Sequence, residues 1–516
     1  MTVDAAPAWT FRNHWMSHVG RHAQMQPQGT ALRYRGADTT WAQLDQRCRR
    51  LAHGLRDLGV EPGDRVALLC LNHPQFVEIV LAANHLGAIA VPLNFRLTPP
   101  EVAYVLHDSG AKVVFADSLL APALSQAGEL TVIEVGSAST GQSAYDDLLG
   151  EPVEHGDVPE SATALLMYTS GTTGRPKGAM LSHANLAVQS MTCIRAMETF
   201  DETDIGFMTA PFFHIAGLGS LAPNLLLGVP TVIHPLGAFD PAAVLDAYER
   251  EGATVVFNVP QQWQLLCAEQ SARPRNLRLR VLTWGAAPAP ASDALLRQMS
   301  STFDGLIVAV FGQTETSPIT CVLRGEESLR KLGSVGRPVA TIQYRVVNEA
   351  MEDVPVGSVG EIVYRGPQVM QGYWNKPAET AAAFAGGWFH SGDLVKQDDE
   401  GFVWVVDRKK DMIISGGENI YCAEVENVIA DHPDVVEVAV TGRPDPQWGE
   451  VPVAHVSLRP SAGLTLEELT AFLGDRLAAF KRPKELVILP ALPRNASGKV
   501  LKTTLRQQDS SQPTGA

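Results

Sequence analysis

The segment YTSGTTGRPKG at positions 168–178 holds the densest set of residues in this chain that could do chemistry. It follows an apolar run and places Thr169, Ser170, Gly171, Thr172, Thr173 and Gly174 just ahead of Lys177. Glycines let backbone N–H groups approach an anion, hydroxyls add donors, and the ammonium adds charge. A polyphosphate is what such a set would hold. The spacing is not that of a Walker A loop, because Pro176 stands where that motif needs glycine. Taken alone, a short loop of glycine, serine and threonine is as readily a polar surface hairpin. The cysteines offer no comparable site. Cys48, Cys70, Cys193, Cys267, Cys321 and Cys422 are scattered without a CxxC pair or metal-ligand spacing, and read as buried reduced thiols.

The chain that must position this loop has 516 residues, too many for one compact domain. Its composition, 45% apolar and 19% charged, excludes a disordered, collagenous or disulfide-scaffold protein. With 41 basic and 56 acidic residues the net charge is −15. There is no general pull on nucleic acid or anionic membrane, so a bound anion must be held by a local site. The N-terminus lacks a basic region followed by an apolar core, so no signal peptide is expected. The most apolar long stretch, 76–93, is interrupted by Glu78, Asn84, His85, Gly87 and Pro92, and reads as a buried helix and strand. The expectation is a cytoplasmic protein with no integral membrane association and no nucleic-acid partner.

Strand and helix patterns alternate through the first third. An apolar run at 66–71 is followed by a helical stretch at 75–86 closed by Gly87, a second run at 88–93, a helix pattern at 101–108 stopped by Gly110, and a run at 112–116. Further runs recur at 163–168, 231–234, 254–258, 279–284 and 306–310. This rhythm predicts α/β layers with a largely parallel sheet. Beyond 423 the pattern changes to that of a small α+β unit: helix 423–431, strands 435–441 and 453–458, and strand 485–489. Between the last two, Thr465 and Glu468 form a capping box opening a helix with Leu469, Phe472, Leu473, Leu477 and Phe480 on one face. The charged run DRKKD at 407–411 marks the boundary and by itself supports only a linker. The polar tail 509–516 is expected to be disordered.

The 168–178 segment resembles the phosphate-binding signature of the acyl-adenylate-forming (AMP-binding) superfamily. Further matches follow in that family's order: GAAP (285–288), FGQTE (311–315), WFHSGD (388–393), DRKKDMIISGGEN (407–419) and PRNASGK (493–499). The resemblance covers about residues 10–508. It implies a large N-terminal domain of layered sheets and helices, 1–409, and a small mobile C-terminal α+β lid domain, 410–508, hinged at Lys410. It also implies a two-step reaction. A carboxylate and MgATP give acyl-AMP and pyrophosphate, and a nucleophile then displaces AMP.

Each motif takes a physical task in that scheme. In the first step two anions must meet, so positive charge is needed on the transition state; the resemblance gives that task to Lys499. Glu315, beside Thr314, takes Mg²⁺ through a carboxylate oxygen. Phe311, Gly312 and Gln313 on one side and Gly285, Ala286, Ala287 and Pro288 on the other form the adenine slot. Asp393 accepts from the ribose hydroxyls, with Arg408 as a second ribose or phosphate contact. For the second step Ser415, Gly416 and Gly417 leave room for a pantetheine arm, and Trp448 lies in a segment (445–450) found in CoA-using relatives.

PFFHIAG at 211–217 matches the family's aromatic–histidine element beside the acyl pocket. His214 gates that pocket in this reading, and a satisfied core histidine is the structural alternative. Gly217 and Gly219 leave room for a bulky or long acyl group, whereas Trp263, Trp284 and Val310 narrow the cavity. No charged residue in these segments suits an amino group, so an apolar monocarboxylate is expected. The wording of the C-terminal half is most similar to bacterial fatty-acyl-CoA ligases. A feruloyl- or coumaroyl-type ligase is the alternative, as is transfer to an amine or a carrier protein. The partners implied are a small carboxylic acid, ATP and CoA. A homodimer is left open, since no residue pattern marks an interface.

Overall fold

A computed structural model of the chain describes residues 12–136, 144–154, 156–169, 175–285, 293–415, 418–495 and 498–511. The chain divides into two compact units. The first takes in Met1–Tyr344, Tyr364–Phe389 and Gly401–Val403, the second Arg345–Val363, His390–Glu400 and Trp404–Ala516. The architecture is mixed α/β, as the alternating patterns predict.

The first unit is built on two large sheets. The six-stranded sheet runs, in spatial order, Thr131–Val135, Val113–Asp117, Arg65–Leu69, Ile89–Pro92, Thr163–Thr169 and Lys177–Ser182. All neighbours are parallel except the last pair, an antiparallel hairpin. Val66, Ala67, Leu68 and Leu69 are all fully buried, the signature of a parallel strand covered on both faces. The helix Pro99–Ser109 ends at Gly110, whose φ of 66° a side chain would resist. The nine-stranded sheet has a parallel centre, Leu306–Gly312, Val281–Gly285, Val255–Asn258, Gly206–Met208, Thr231–Ile233 and Thr30–Tyr34, with antiparallel strands at its edges.

The second unit is α+β. A sheet of Gln343–Val347, Gly360–Arg365, Phe389–Gln397 and Val403–Arg408 belongs to it for the most part, and brings residues upstream of 410 into this unit. A second sheet orders Glu418–Ile420, Ile413–Ser415, Gly449–Leu458 and Val435–Asp445, with Glu485–Ile488 parallel to 449–458. Ile413, Ile420, Val425, Ile429, Val440, Val456, Leu469 and Leu473 form its core.

Two sequence expectations change here. The helix opened by the Thr465 capping box does form, with Thr465 N donating to Glu468 at 2.8 Å and Glu468 N to Thr465 Oγ1 at 3.2 Å. It ends at Leu473, however, because Gly474 breaks the pattern. Leu477 is still buried, but Phe480 is 41% exposed and does not share the core face. The final helix, Lys502–Ser511, carries regular structure into the segment expected to be a tail. All six cysteines are buried and none forms a disulfide. Among the described residues no helix is long and apolar enough to cross a membrane.

Candidate active site

Within the first unit the glycine-rich hairpin is held from its base. Ser170, Gly171, Thr172, Thr173 and Gly174 lie outside the described residues, but both flanks are described. Thr169 ends one strand, Lys177 begins the next, and the two are directly paired. Tyr168 donates to Asp108 Oδ2 at 2.8 Å, and Lys376 Nζ reaches Oδ1 of the same carboxylate at 2.6 Å. Tyr104 donates to the Pro176 carbonyl at 3.1 Å. Burial, then Asp108, raise the pKa of both tyrosines, which stay phenolic donors.

Glu315 is brought to this base by a tight backbone turn. Gly312 has a φ of 153°, and a Cβ there would lie 1.8 Å from the Pro318 carbonyl oxygen, so only glycine can end the strand this way. A single 3₁₀ turn, Thr314–Thr316, follows. The Glu315 carbonyl accepts from Met370 N at 2.8 Å. Its carboxylate Oε1 accepts from Thr169 Oγ1 at 3.3 Å and from the Tyr373 hydroxyl at 3.0 Å. Lys177 Nζ lies 5.2 Å from the centre of the Tyr373 ring, a cation–π contact. The structure therefore gathers Thr169, Lys177 and Glu315, with Thr314 adjoining, around a tyrosine that the sequence did not single out.

Tyr373 comes from a segment laid alongside the strand 177–182. Met180 N donates to Gly372 O at 2.9 Å, Gln371 N to Met180 O at 3.0 Å and Trp374 N to Gly178 O at 2.8 Å. The available signal was the aromatic pair Tyr373–Trp374 directly after Gly372, outside any amphipathic pattern. Burial and then Glu315 push the Tyr373 pKa up, so it donates to the carboxylate at neutral pH.

Glu315 is only 8% exposed, and among the described residues no basic side chain forms an ion pair with it. A buried carboxylate held by two neutral hydroxyls is short of positive charge. That deficit fits a divalent oxygen-loving cation such as Mg²⁺, which takes one or two carboxylates and fills its remaining positions with phosphate oxygens and water.

On the acyl side, His214 caps the helix Ile215–Leu227, its Nδ1 accepting from Ala216 N at 3.1 Å, which leaves the proton on Nε2. Gly217 does not open space as expected. A Cβ there would meet the Pro211 carbonyl oxygen at 2.4 Å, so its smallness serves a close backbone approach. Gly285 is similar: it pairs with Val310, and a Cβ would lie 2.4 Å from the Val310 carbonyl oxygen. Ala286, Ala287 and Pro288 lie outside the described residues. Phe311 is half-buried. The Trp284 indole nitrogen and the Gln313 amide nitrogen are buried without a hydrogen-bond partner. Such orphaned donors are uncommon away from ligand sites. Between the helix 215–227 and the strands 206–208, 255–258 and 281–285, a cavity of only about 20 Å³ remains. That is room for about one water.

The second unit carries the other candidates. Asp393 is buried, and its Oδ1 pairs with Arg408 Nε at 2.7 Å. Glu361 joins Lys409 Nζ at 3.1 Å and His390 Nδ1 at 3.1 Å. Burial works against its charge, but the hydrogen bonds from His390 and Lys409 win and hold its pKa below the usual value. Lys410 is exposed, with Asp411 3.9 Å away. Ser415 is paired with Gly449, next to Trp448; Gly416 and Gly417 lie outside the described residues. Trp448 is 47% exposed at a hairpin tip, where Asp445 Oδ1 accepts from Gln447 N and Trp448 N. Lys499 is exposed on a tight turn. Its N–H donates to Asn495 Oδ1 at 2.9 Å, its carbonyl accepts from Asn495 N at 2.8 Å, and Gly498 supplies a φ of 82°. Arg494 braces the turn through the Gly498 carbonyl at 2.7 Å.

Known proteins match this chain along its length. Residues 19–374 match the model of the AMP-binding enzyme family, and 424–499 match the AMP-binding enzyme C-terminal domain. A feruloyl-CoA synthase from Amycolatopsis is 44% identical over 95% of this chain and 97% of its own length. An indoleacetate–CoA ligase from Aromatoleum aromaticum is 39% identical over the same shares. Among solved structures, the o-succinylbenzoate CoA synthetase of Bacillus subtilis in complex with its acyl-adenylate is 33% identical. It covers 97% of this chain and 99% of its own, with a TM-score of 0.84. A Mycobacterium tuberculosis fatty acyl CoA synthetase is 32% identical over 97% and 99%, with a TM-score of 0.77. With both family models matched in order, and with relatives aligned over nearly their full length, this chain belongs to the AMP-binding enzyme family and is an AMP-forming acid–CoA ligase.

Proposed function

We propose that this enzyme activates an aromatic carboxylic acid with ATP and Mg²⁺, forming an aryl-acyl adenylate that is passed to CoA. The observation that carries the reading is that the relatives of 44% and 39% identity are named for ferulate and indoleacetate. The orphaned Trp284 indole N–H is suited to an acceptor such as a ring substituent oxygen. The fatty-acid expectation drawn from the wording of the C-terminal half is the weaker reading.

In this proposal Glu315, held by Thr169 and Tyr373, is the carboxylate that receives the metal. Magnesium bound there supplies charge neutralisation for the phosphates. Lys177 and the hairpin it closes hold phosphate, and Asp393, with Arg408, addresses the ribose hydroxyls. Lys499 supplies the cation for the step in which carboxylate meets α-phosphate, and Ser415 and Trp448 serve CoA. Lys410 is the pivot between the two steps, in keeping with its exposure.

A panel of acids with MgATP, with and without CoA, tests this by mass spectrometry of the products. Ferulate, 4-coumarate and indoleacetate are expected to give AMP and the corresponding thioester only when CoA is present. Higher kcat/KM with saturated long-chain fatty acids than with any aromatic acid would overturn the aromatic assignment.

A further inference from the structure

The strands Leu306–Gly312 and Ile319–Arg324 are antiparallel neighbours, and Glu315 stands in the connection between them. A connection that runs through the interior cannot hand its carbonyls to water, so they need donors from elsewhere in the protein. Thr316 and Ser317 are fully buried here. Part of the bonding is local: Thr316 N donates to the Gln313 carbonyl at 2.9 Å and Ser317 N to that of Thr314 at 3.1 Å. The carbonyls of Thr316, next in the chain to Glu315, and of Ile319, just past the turn, both accept from one side chain, that of Gln368.

Gln368 is fully buried, and its Nε2 lies 3.3 Å from the Thr316 carbonyl oxygen. Carbonyl oxygens only accept, so the amide must turn both its N–H bonds to the turn and its oxygen away from it. That oxygen accepts from the Thr341 hydroxyl at 2.6 Å, and Thr341 Oγ1 is in turn 2.8 Å from Thr192 Oγ1. The backbone around Gln368 is held as well. Asn185 Nδ2, on the helix His183–Ala196, donates to the carbonyls of Pro367 at 2.6 Å and Val369 at 3.1 Å. Further along the same segment, Met370 N holds the Glu315 carbonyl and the Tyr373 hydroxyl holds its carboxylate. Residues 368–373 thus grip Glu315 at its side chain, at its own carbonyl and at the next carbonyl in the chain.

We propose that Gln368 is a positioning residue for the adenylation step: it fixes the backbone from which Glu315 is aimed at the divalent metal that accompanies ATP. This rests on the reading of Glu315 as the metal carboxylate. Mg²⁺ demands near-ideal octahedral geometry, so a carboxylate whose backbone drifts binds it poorly even with its charge intact. Tyr373 sets the direction of the carboxylate and Gln368 the place of its main chain. In this role Gln368 touches neither metal nor nucleotide.

The test is calorimetry of ATP binding to the full-length protein at increasing Mg²⁺, without acid or CoA. Glu315→Gln should raise the magnesium requirement most. Gln368→Met, which keeps the length and removes both donors, should raise it roughly tenfold. Thr341→Val, which removes only the donor to Gln368 Oε1, should raise it less. Thioester formation from supplied acyl-AMP should stay within about twofold of wild type in Gln368→Met, because that step transfers no phosphate and needs no aimed metal. A wild-type magnesium requirement in Gln368→Met, or equal loss in both half-reactions, overturns the positioning role. Where that variant does not fold, Thr341→Val decides, and a wild-type requirement there overturns the role. An unchanged requirement in Glu315→Gln is a separate failure, since it removes the metal reading of Glu315 and the proposal with it.

Discussion

In the first unit Glu315 is 8% exposed and held by two hydroxyls and a backbone N–H, whereas in the second unit Lys499 is exposed and Trp448 is 47% exposed at a hairpin tip. In the roles proposed for them, the two regions solve different problems. A carboxylate that must meet metal and phosphate in fixed geometry gains from burial and from partners that remove its freedom, since preorganised charge needs no reorganisation during reaction. A lysine or tryptophan used in only one of two steps gains from exposure, because burial would tie it to a single arrangement. The support lies in the backbone instead: Asn495 and Gly498 shape the Lys499 turn, and Asp445 shapes that of Trp448.

The largest expected effect breaks the comparison at Lys499. Lys499→Ala should lower acid-dependent pyrophosphate exchange by about 10²–10³-fold, the usual loss for a transition-state donor. Thioester formation from supplied acyl-AMP should stay near wild type, and so should the melting temperature, because the side chain is exposed. Equal loss in both half-reactions would place Lys499 in the structure of the unit and not in the first step.

The interiors also differ in how they titrate. His14, His18, His22 and His183 of the first unit are all buried, and the rings of His14 and His183 lie 4.4 Å apart. Burial, aided by neighbouring positive groups, lowers the pKa of His18 to about 4, and burial with His14 lowers that of His183 to about 3. These folded-state values lie below the ordinary 6.5, so the unfolded chain takes up protons first as pH drops. The stabilisation is complete above pH 6.5 and is lost progressively toward pH 4. At pH 5 each of these two histidines should cost about 2 kcal/mol relative to pH 7.5. Urea titrations at both pH values check this, and His183→Phe should shrink the difference.

How much of this was legible in the sequence depends on what each residue is for. The parallel strands announced themselves as unbroken apolar runs, and Gly110 and the Thr465–Glu468 box marked helix ends because capping is local chemistry. The loop before Lys177 was not legible alone, since glycines and hydroxyls also make a surface hairpin; it became legible only with the other motifs that follow it in order. Tyr373 was hidden because its partner Glu315 is 58 positions away and they meet only when the 370–374 segment lies along a strand. Gly217 misled because a glycine that allows backbone approach looks the same in sequence as one that opens a pocket. The sequence favours an aliphatic acid with an aryl acid as the alternative, because motifs shared across the family report the nucleotide chemistry and say little about the acyl pocket.

Tyr373 offers a smaller, sharper test of how the first unit holds its carboxylate. Tyr373→Phe removes the hydroxyl and keeps the ring under Lys177. A hydrogen bond to a charged group contributes about 1.5–3 kcal/mol, part of which Thr169 retains, so a roughly tenfold effect is expected. It should appear in the magnesium concentration needed for ATP binding, followed by calorimetry without acid or CoA. A loss in kcat alone, with metal-dependent ATP binding unchanged, would remove Tyr373 from this positioning role.

The smallest effect lies in the second unit and has the opposite pH sign to that of the histidines. Asp407 is 5% exposed; its Oδ1 accepts from Arg408 N at 2.7 Å, and its Oδ2 is buried without a partner. Burial raises its pKa to about 6, against the pull of Lys502, while Glu426 adds to the rise. A carboxyl whose folded-state pKa exceeds the ordinary 3.8 costs nothing below pH 4. The cost grows as pH rises from about 4 to 6, where the unfolded chain has already released a proton that the folded protein still holds, and it is complete above 6, where the folded protein must bury a charge. Lys502 does not relieve it fully, because its ammonium already pairs with Glu426 at 2.7 Å. Asp407→Asn keeps the acceptor for Arg408 N and removes the charge, but places an unsatisfied amide where Oδ2 was. The net expectation is a gain of about 1 kcal/mol at pH 7.5 and a value about 2 kcal/mol lower at pH 4.5, measured by urea unfolding at both. A gain of equal size at both pH values would mean that packing, and not the buried charge, distinguishes this position.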